Sequence, residues 1–520
     1  MVAAGTAAFP AVDRVILDME DDGAGHYLYI GAALEMDGPA PALDAVRAHV
    51  RERLALLPPF YGELDVSGQV RELTVPPGPD SRRRAYDALP NLTVPGTQPW
   101  GLWLVHGHRD DGYLLFHRVH HGVHDGVGLA LLLRVLFALT PQAAARAAHT
   151  EGPAPAAPSS ARPARGAHAA QEARAAPPPE RAPAQRQAQH QVQQQAQGQA
   201  PGQARARAGA QLRHAADSAR LFLPGPRRPL PPAERAGRRI VSAVTVPAAQ
   251  LRGAAAEWGC SVLGVHLSAL SHACRSTDVT GWTRERRSRG IALPVSLTDT
   301  RSGPYRGNRY SLVRLPVPWD EPDLGRRAQL LAREARRYQD PAVRSALARA
   351  LGRLGTGATR RFSERLYARC GVQTTVLPLA GEVGFAGRPA RHFTGLNCLP
   401  AHFPYQPVLS LHGGRAVCAF TVDAATPGAR DLAAYWREAL DELAPPPRPE
   451  RPATPFAAAP SGPSAAPPPA PRSEPPAAPS SGPSAAPPSG PSAVASEGAS
   501  SAPSSGPSAG APAPEGAPPD

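Results

Sequence analysis

Two long stretches of this chain carry too few large apolar residues to build a core, and they leave only two segments that can fold. From Glu151 to about Pro232 the sequence is Ala, Pro, Gln and Arg, as in QAQHQVQQQ at 187–195. From about Pro445 onward it repeats Ser-Gly-Pro-Ser-Ala, starting at Ser461, Ser481, Ser489 and Ser505. Such composition cannot offset the entropy of ordering the backbone, so both read as disordered, a linker over 151–232 and a tail over 445–520. Within the linker, Leu212, Ala216, Ala219 and Leu223 have the spacing of one short helix. What remains is two foldable segments, 8–145 and 236–444.

The same partition explains the charge. The chain carries a net charge of +13, and all 56 of its basic residues are arginine. Between Glu151 and Ile240 there are 14 Arg against 5 acidic residues, so 9 of the 13 surplus charges sit between those two positions, mostly in the linker. The foldable segments are near neutral, which argues against nucleic-acid binding by them. The absence of lysine, with the Ala/Pro/Arg bias, reads as a GC-rich coding sequence. An arginine-rich linker could still attract an anionic membrane surface.

Five scattered cysteines without a CxxC pair favour neither a disulfide framework nor a structural zinc site, and they fit a reducing cytoplasm. No basic segment followed by an apolar run opens the chain, and no stretch approaches 18 consecutive apolar residues. Localisation is therefore expected to be cytoplasmic, with any contact to the inner membrane surface or a lipid droplet peripheral.

Both foldable segments alternate strand-like and helix-like runs, which implies α/β layers. In the first, strands are expected at 26–36, 101–109 and 113–119, and helices at 43–56 and 127–139, the last apolar nearly all round and hence buried. In the second, strands are expected at 239–246, 291–297, 310–317, 408–411 and 416–422. Helices are expected there at 248–258, 262–275, 324–338 and 430–443.

One polar cluster stands out between an apolar strand and an apolar helix: His117, His120, His121, His124 and Asp125, followed by Gly126 and Gly128. On a helix the four histidines would share a face and could hold a metal. The β-favouring YLLFHRV run and the glycines at 122 and 126 instead argue for a strand entering a turn. There His117 and His121 share a face, His120 points away, and no third metal ligand is evident, so no metal is expected. A purely structural cluster remains open. General-base catalysis is the third reading: a neutral imidazole at His121 removes a proton from an attacking hydroxyl, since histidine titrates near working pH. Asp125 is then structural, through an arginine or a bond back to the turn, and Gly126 allows close approach or an unusual dihedral. His106 and His108 read as ordinary polar positions.

The segment His120-His121-Gly122-Val123-His124-Asp125-Gly126 resembles the HHxxxDG motif of the CoA-dependent acyltransferase superfamily. That group includes chloramphenicol acetyltransferase-like enzymes, condensation domains and wax ester synthase/diacylglycerol acyltransferases. The surroundings resemble the last of these: Phe9-Pro10-Ala11-Val12-Asp13, the block from Gln98 to Gly107, Leu293-Pro294-Val295-Ser296-Leu297, Gly307-Asn308-Arg309-Tyr310 and Leu315-Pro316-Val317. The resemblance implies two chloramphenicol-acetyltransferase-like halves in a pseudo-symmetric acyltransferase, with a tunnel between them. It implies direct transfer of a fatty acyl group from acyl-CoA, a co-substrate rather than a cofactor, to a long-chain alcohol or diacylglycerol. The catalytic set would be His121 as base with His120, Asp125 and Gly126, and Asn308 would contribute to substrate binding. The family's Asn-Asp pair is replaced by Leu263-Gly264, its Pro-Leu-Trp block is shortened to Pro99-Trp100, and its Ser-Asn-Val-Pro-Gly-Pro run reads Thr374-Thr375-Val376-Leu377-Pro378-Leu379. Two other readings stay open: a natural-product or condensation-like enzyme fed by a carrier-protein thioester, and a degenerate relative that binds a lipid or a partner without catalysis.

Overall fold

The run GYLLFHRVH is apolar or aromatic on both sides of its two-residue alternation, and such a strand needs cover on both faces. In the computed structural model this run is strand β4 (Gly112–His120), and every residue in it is buried. The structure describes residues 11–21, 28–57, 65–94, 99–148, 237–277, 290–297, 307–400 and 403–444. The expected linker, its short helix at 212–223 and the tail lie outside the described residues.

Around β4 a five-stranded sheet forms in the order β12-β1-β4-β3-β2, with β1 at Tyr29–Asp37, β2 at Val70–Thr74, β3 at Trp100–His106 and β12 at His392–Leu396. All neighbours are antiparallel except β2 and β3. The edge strand β12 comes from the far side of the linker: Ala32 pairs with Gly395 and Glu35 with His392. Sequence reading placed no strand there, because five residues reading HFTGL lack a period long enough to count.

A second sheet runs β5-β14-β13-β9 (Arg239–Pro247, Arg415–Asp423, Tyr405–His412, Thr375–Pro378), and a third runs β7-β6-β8 (Tyr310–Pro316, Gly290–Ser296, Cys370–Gln373). A two-stranded ribbon pairs β10 (Gly384–Phe385) with β11 (Arg388–Pro389). The first and second sheets are joined where the Gly395 N–H donates to Ser410 Oγ at 2.7 Å.

Among the described residues the helices are α1 (Ala11–Asp21), α2 (Leu43–Leu54), α3 (Val66–Gln69), α4 (Ser81–Ala88), α5 (Gly126–Leu136) and α6 (Pro141–Ala148). Beyond the linker come α7 (Ala248–Glu257), α8 (Val262–Thr277), α9 (Leu324–Arg336), α10 (Pro341–Arg353), α11 (Thr356–Tyr367) and α12 (Leu432–Leu443). The expected apolar helix is α5, buried along most of its length. Helices α10 and α11 were not expected, although Asp340 before Pro341 is a legible start: its carboxylate accepts from the Ala342 N–H at 2.7 Å and the proline sits where no N–H is needed. No described helix is long and apolar enough to cross a membrane.

The wall formed by β8 and β9 is tied to α8 and α12 through a buried polar chain. The Trp436 Nε1–H donates to His266 Nδ1 at 3.2 Å, and His266 Nε2 lies 2.8 Å from Thr374 Oγ1, whose hydroxyl donates to the Pro407 carbonyl. With Nδ1 accepting, the proton sits on Nε2 and the ring is neutral. Burial pushes His266 down to about 3 from 6.5. The unfolded chain therefore takes up this proton first, and the stability tied to the neutral ring is complete above pH 6.5 and lost between there and pH 3. The loss is about 1.4 kcal/mol per pH unit. In urea denaturation from about pH 7.5 down to about pH 5, His266→Gln should lower the slope by about 1.4 kcal/mol per pH unit, leaving the part due to other buried histidines such as His117. An unchanged slope in that variant would show that His266 is not neutral in the fold.

Candidate active site

The turn that follows β4 is held by backbone groups before any side chain acts. The His120 N–H donates to the Pro99 carbonyl at 2.7 Å and the His121 N–H to the Leu28 carbonyl at 2.8 Å. His120 Nδ1 accepts from the Gly122 N–H at 3.1 Å, and its ring meets the Tyr29 ring edge-on at 5.1 Å. His120 therefore shapes the turn. His117 stacks on Trp100 at 5.9 Å, and burial, with the neighbouring His124, pushes it down to about 3. His117 and His121, expected on one face, are separated because β4 ends at His120 and the chain turns before His121 is placed.

Asp125 connects two parts of the fold. Its Oδ1 accepts from the Gly128 N–H at 2.8 Å, capping α5, and its Oδ2 accepts from the Arg309 N–H at 2.9 Å. The cap places a negative charge at the positive end of a helix. Asp125 thus fixes the local backbone as a helix cap, and Arg309 contributes its backbone N–H. Alongside, the Gly307 N–H donates to the Val123 carbonyl, and His124 and Gly307 form an isolated parallel bridge.

Asn308 completes the junction. Its Nδ2 donates to the His121 carbonyl at 2.6 Å and to Asp13 Oδ1 at 2.7 Å, and its backbone N–H donates to the same Oδ1 at 2.8 Å. Asn308 is not among the residues lining the cavity described below, and its bonds make it a strut at this junction. Gly307 has φ +94°, and a Cβ there would lie 2.7 Å from Asp13 Oδ2, so glycine is required on both counts. Asp13 was quoted only as part of a resemblance block. Nothing in its local pattern assigns it a partner 295 residues away.

His121 opens onto a cavity of about 130 Å³. Apolar walls come from Ile30, Leu129, Pro294, Val376, Leu377 and Val408, and polar groups from Asp125, Ser296, Tyr310, Gln373, Thr375 and Asn397. The two sides of the linker thus meet in one cavity. Gly126 also lines it, but without strain: its φ is negative and an added Cβ would make ordinary contacts, 3.6 Å to Leu377 and 3.9 Å to Thr375. The expected close approach or unusual dihedral at Gly126 is absent. What its missing side chain provides is cavity space.

Burial pushes the His121 imidazole below the ordinary histidine range, while its own carbonyl, the Asp125 carboxylate and the Asn308 side chain act the other way. The net effect keeps the ring neutral at working pH. Its Nδ1 is enclosed, and the ring borders the cavity. The Tyr310 ring packs 5.8 Å away. His106, by contrast, pairs with Glu72 at 2.7 Å, and His108 is buried away from the cavity. Among the described residues no group of three or more His, Cys, Asp or Glu side chains is arranged to hold a metal.

Residues 97–265 match the family described as wax ester synthase/diacylglycerol acyltransferase catalytic domain. The match covers about a third of the chain, from the segment before the histidine turn into the start of α8, and is a likeness to that family's catalytic domain. The chain is accordingly an acyltransferase. No curated protein sequence matches it. Among solved structures, the first condensation domain of the calcium-dependent antibiotic synthetase is similar at TM-score 0.51 and 16% identity, over 86% of this chain and 98% of that one. The starter condensation domain of rhizomide synthetase, solved with C8-CoA, is similar at TM-score 0.50 and 14% identity, over 84% and 93%. The wax ester synthase/diacylglycerol acyltransferase of Marinobacter aquaeolei VT8 superposes at TM-score 0.49 and 15% identity, over 83% and 97%. The condensation domains share the mixed α/β fold seen here.

Where the resembled family carries Asn-Asp, Leu263-Gly264 has a packing reason here. A Cβ on Gly264 would lie 2.6 Å from the Ala328 carbonyl and 2.6 Å from Ala332 Cβ, so the glycine lets α9 lie directly on α8. Gly264→Asp should therefore lower stability by about 1–3 kcal/mol through overpacking, read by denaturant titration. An equally stable variant would show that α9 can shift. Asp125→Ala, which loses the helix cap and the tie to Arg309, should cost on the order of 2–4 kcal/mol in the same measurement.

Proposed function

We propose that this acyltransferase moves a fatty acyl group from acyl-CoA to the hydroxyl of a long-chain alcohol or diacylglycerol, with His121 as general base. The observation that carries this reading is a neutral imidazole on the wall of a largely apolar cavity, anchored through its carbonyl to Asn308 and flanked by Asp125. A neutral base accepts a proton without prior ionisation, and an apolar surround favours a thioester and a hydrocarbon-bearing alcohol over water.

In this mechanism His121 Nε2 takes the proton of the acceptor hydroxyl as its oxygen attacks the thioester carbonyl. The tetrahedral adduct then collapses, the C–S bond breaks, and the departing CoA sulfur receives the proton from the imidazolium. No acyl-enzyme is needed, so the buried cysteines have no part. His120 and Asp125 are positioning residues: one shapes the turn and the other holds the turn to the Arg309 backbone. The segments 8–145 and 236–444 supply the two sides of the cavity. Acceptors of this class partition into lipid, so contact with a membrane or lipid droplet would be peripheral.

A second reading, condensation with a carrier-protein thioester, has support in the likeness to two condensation domains at TM-scores of 0.50 and 0.51. Thiol release from hexadecanoyl-CoA, with hexadecanol or diacylglycerol as acceptor, separates the two. Acceptor-dependent release that falls by roughly a hundred- to ten-thousand-fold in His121→Ala is the expected result. Release only from a phosphopantetheinyl carrier protein would replace this reading with the second. Release from neither would leave a non-catalytic relative, and an undiminished His121→Ala would remove His121 from the chemistry.

The pH profile gives an independent check. The folded His121 titrates below 6.5 and is active when neutral, so the rate should rise with pH along an acid limb centred below 6.5 and be near its plateau at neutral pH. A limb centred above 6.5 would contradict the buried, neutral histidine.

A further inference from the structure

A second cavity, about 40 Å³, lies beyond Tyr310. Its lining comes from one face of α1, including Val15 and Ile16, from Leu312 on β7, and from Leu351, Phe362 and Tyr367 on α10 and α11. Tyr310 belongs to the walls of both cavities. Its ring packs on one side near the His121 ring, at 5.8 Å, and on the other joins the apolar cluster that contains Leu312, Phe362 and Tyr367. Any chain leaving His121 in this direction meets the tyrosine within a few atoms. A chain leaving toward Leu129, Leu377 and Val408 has the larger cavity to itself.

An ester formed at His121 carries a tail on each side of the reacting carbon. We infer that Tyr310 is the wall that closes one of two hydrocarbon-tail sites around His121, so that this chain takes a shorter tail on that side than on the other. The inference rests on the acyl-transfer reading and narrows its substrate class. Opening the wall joins the two cavities, and each further methylene buried there is worth roughly fourfold in binding. Discrimination by a pocket of this kind falls in the range of about ten- to two-hundred-fold per group excluded.

The test uses the full chain and thiol release in two arms: hexadecanoyl-CoA with alcohols from ethanol to hexadecanol, and hexadecanol with acyl-CoAs from acetyl to hexadecanoyl. In the unaltered protein one arm should fall away as its tail lengthens, and that arm identifies whether the acyl or the alcohol tail faces Tyr310. Tyr310→Leu and Tyr310→Met should restore long tails in that arm by about ten- to a hundredfold. Tyr310→Phe should keep the original profile, and adding Phe362→Trp to Tyr310→Leu should return it. Unchanged profiles in both shortened variants, with thermal melts confirming that at least one is folded, would overturn the inference.

Displacement of bound cis-parinarate by fatty acids of increasing length reads the same wall without turnover. Affinity should stop rising at a given length in the unaltered protein and at a longer one in Tyr310→Leu. If no acyl-CoA is turned over, the acyl-transfer reading fails. The displacement series still decides whether Tyr310 closes a hydrocarbon site, and an unshifted limit there rejects it.

Discussion

The carboxylate of Asp125 joins a turn to a segment 184 residues further along the chain, and the rest of the site depends on that junction. A buried carboxylate is costly unless donors surround it. Here one oxygen takes the Gly128 N–H at the start of α5, and the other takes the Arg309 N–H. Both donors are backbone groups, so the contact fixes where the chain runs as well as neutralising a charge. Asn308 and Asp13 repeat the arrangement one step away, with the Asn308 amide clasping the His121 carbonyl. Three chain segments, at 13, at 121–125 and at 307–309, thereby become a single rigid corner.

That corner decides the chemistry available to four neighbouring histidines. All four are buried, yet only His121 faces the cavity. His120 is spent on the turn and His117 lies against Trp100, while His124 pairs through its backbone with Gly307. The same residue type is thus a turn former, a packing group and a candidate base within eight residues. Burial holds His121 neutral, and the apolar cavity beside it is where a proton acceptor of that kind has most effect on a hydroxyl.

The second sheet and its helices act as a support for the far wall. Thr374 lies between two cavity residues, Gln373 and Thr375, and is fixed from behind by His266, itself fixed by Trp436. Close contact between α8 and α9 at Gly264 keeps that support compact. The departure from the family's Asn-Asp pair is therefore compatible with an ordered core. Sequence identities of 14–16% to solved condensation domains, with a shared fold, fit the same picture: the fold tolerates the replacement of most side chains.

Much of this was readable in the sequence. A continuous apolar, β-favouring run located β4, the all-round apolar run located α5, and the histidine cluster between them marked the candidate site, because such runs and periods are local properties of ten or so residues. The short β12 was not readable, since its five residues acquire strand character only by pairing with β1. Nor were the roles of Asn308 and Asp13, or the absence of strain at Gly126. Each of these depends on which distant backbone group arrives alongside. Sequence by itself determined where the histidine cluster lies along the chain and that it sits between buried elements. Only the tertiary structure decided which of four histidines faces the cavity and which tyrosine borders it, because hydrogen bonds to backbone groups hundreds of residues away leave no local pattern.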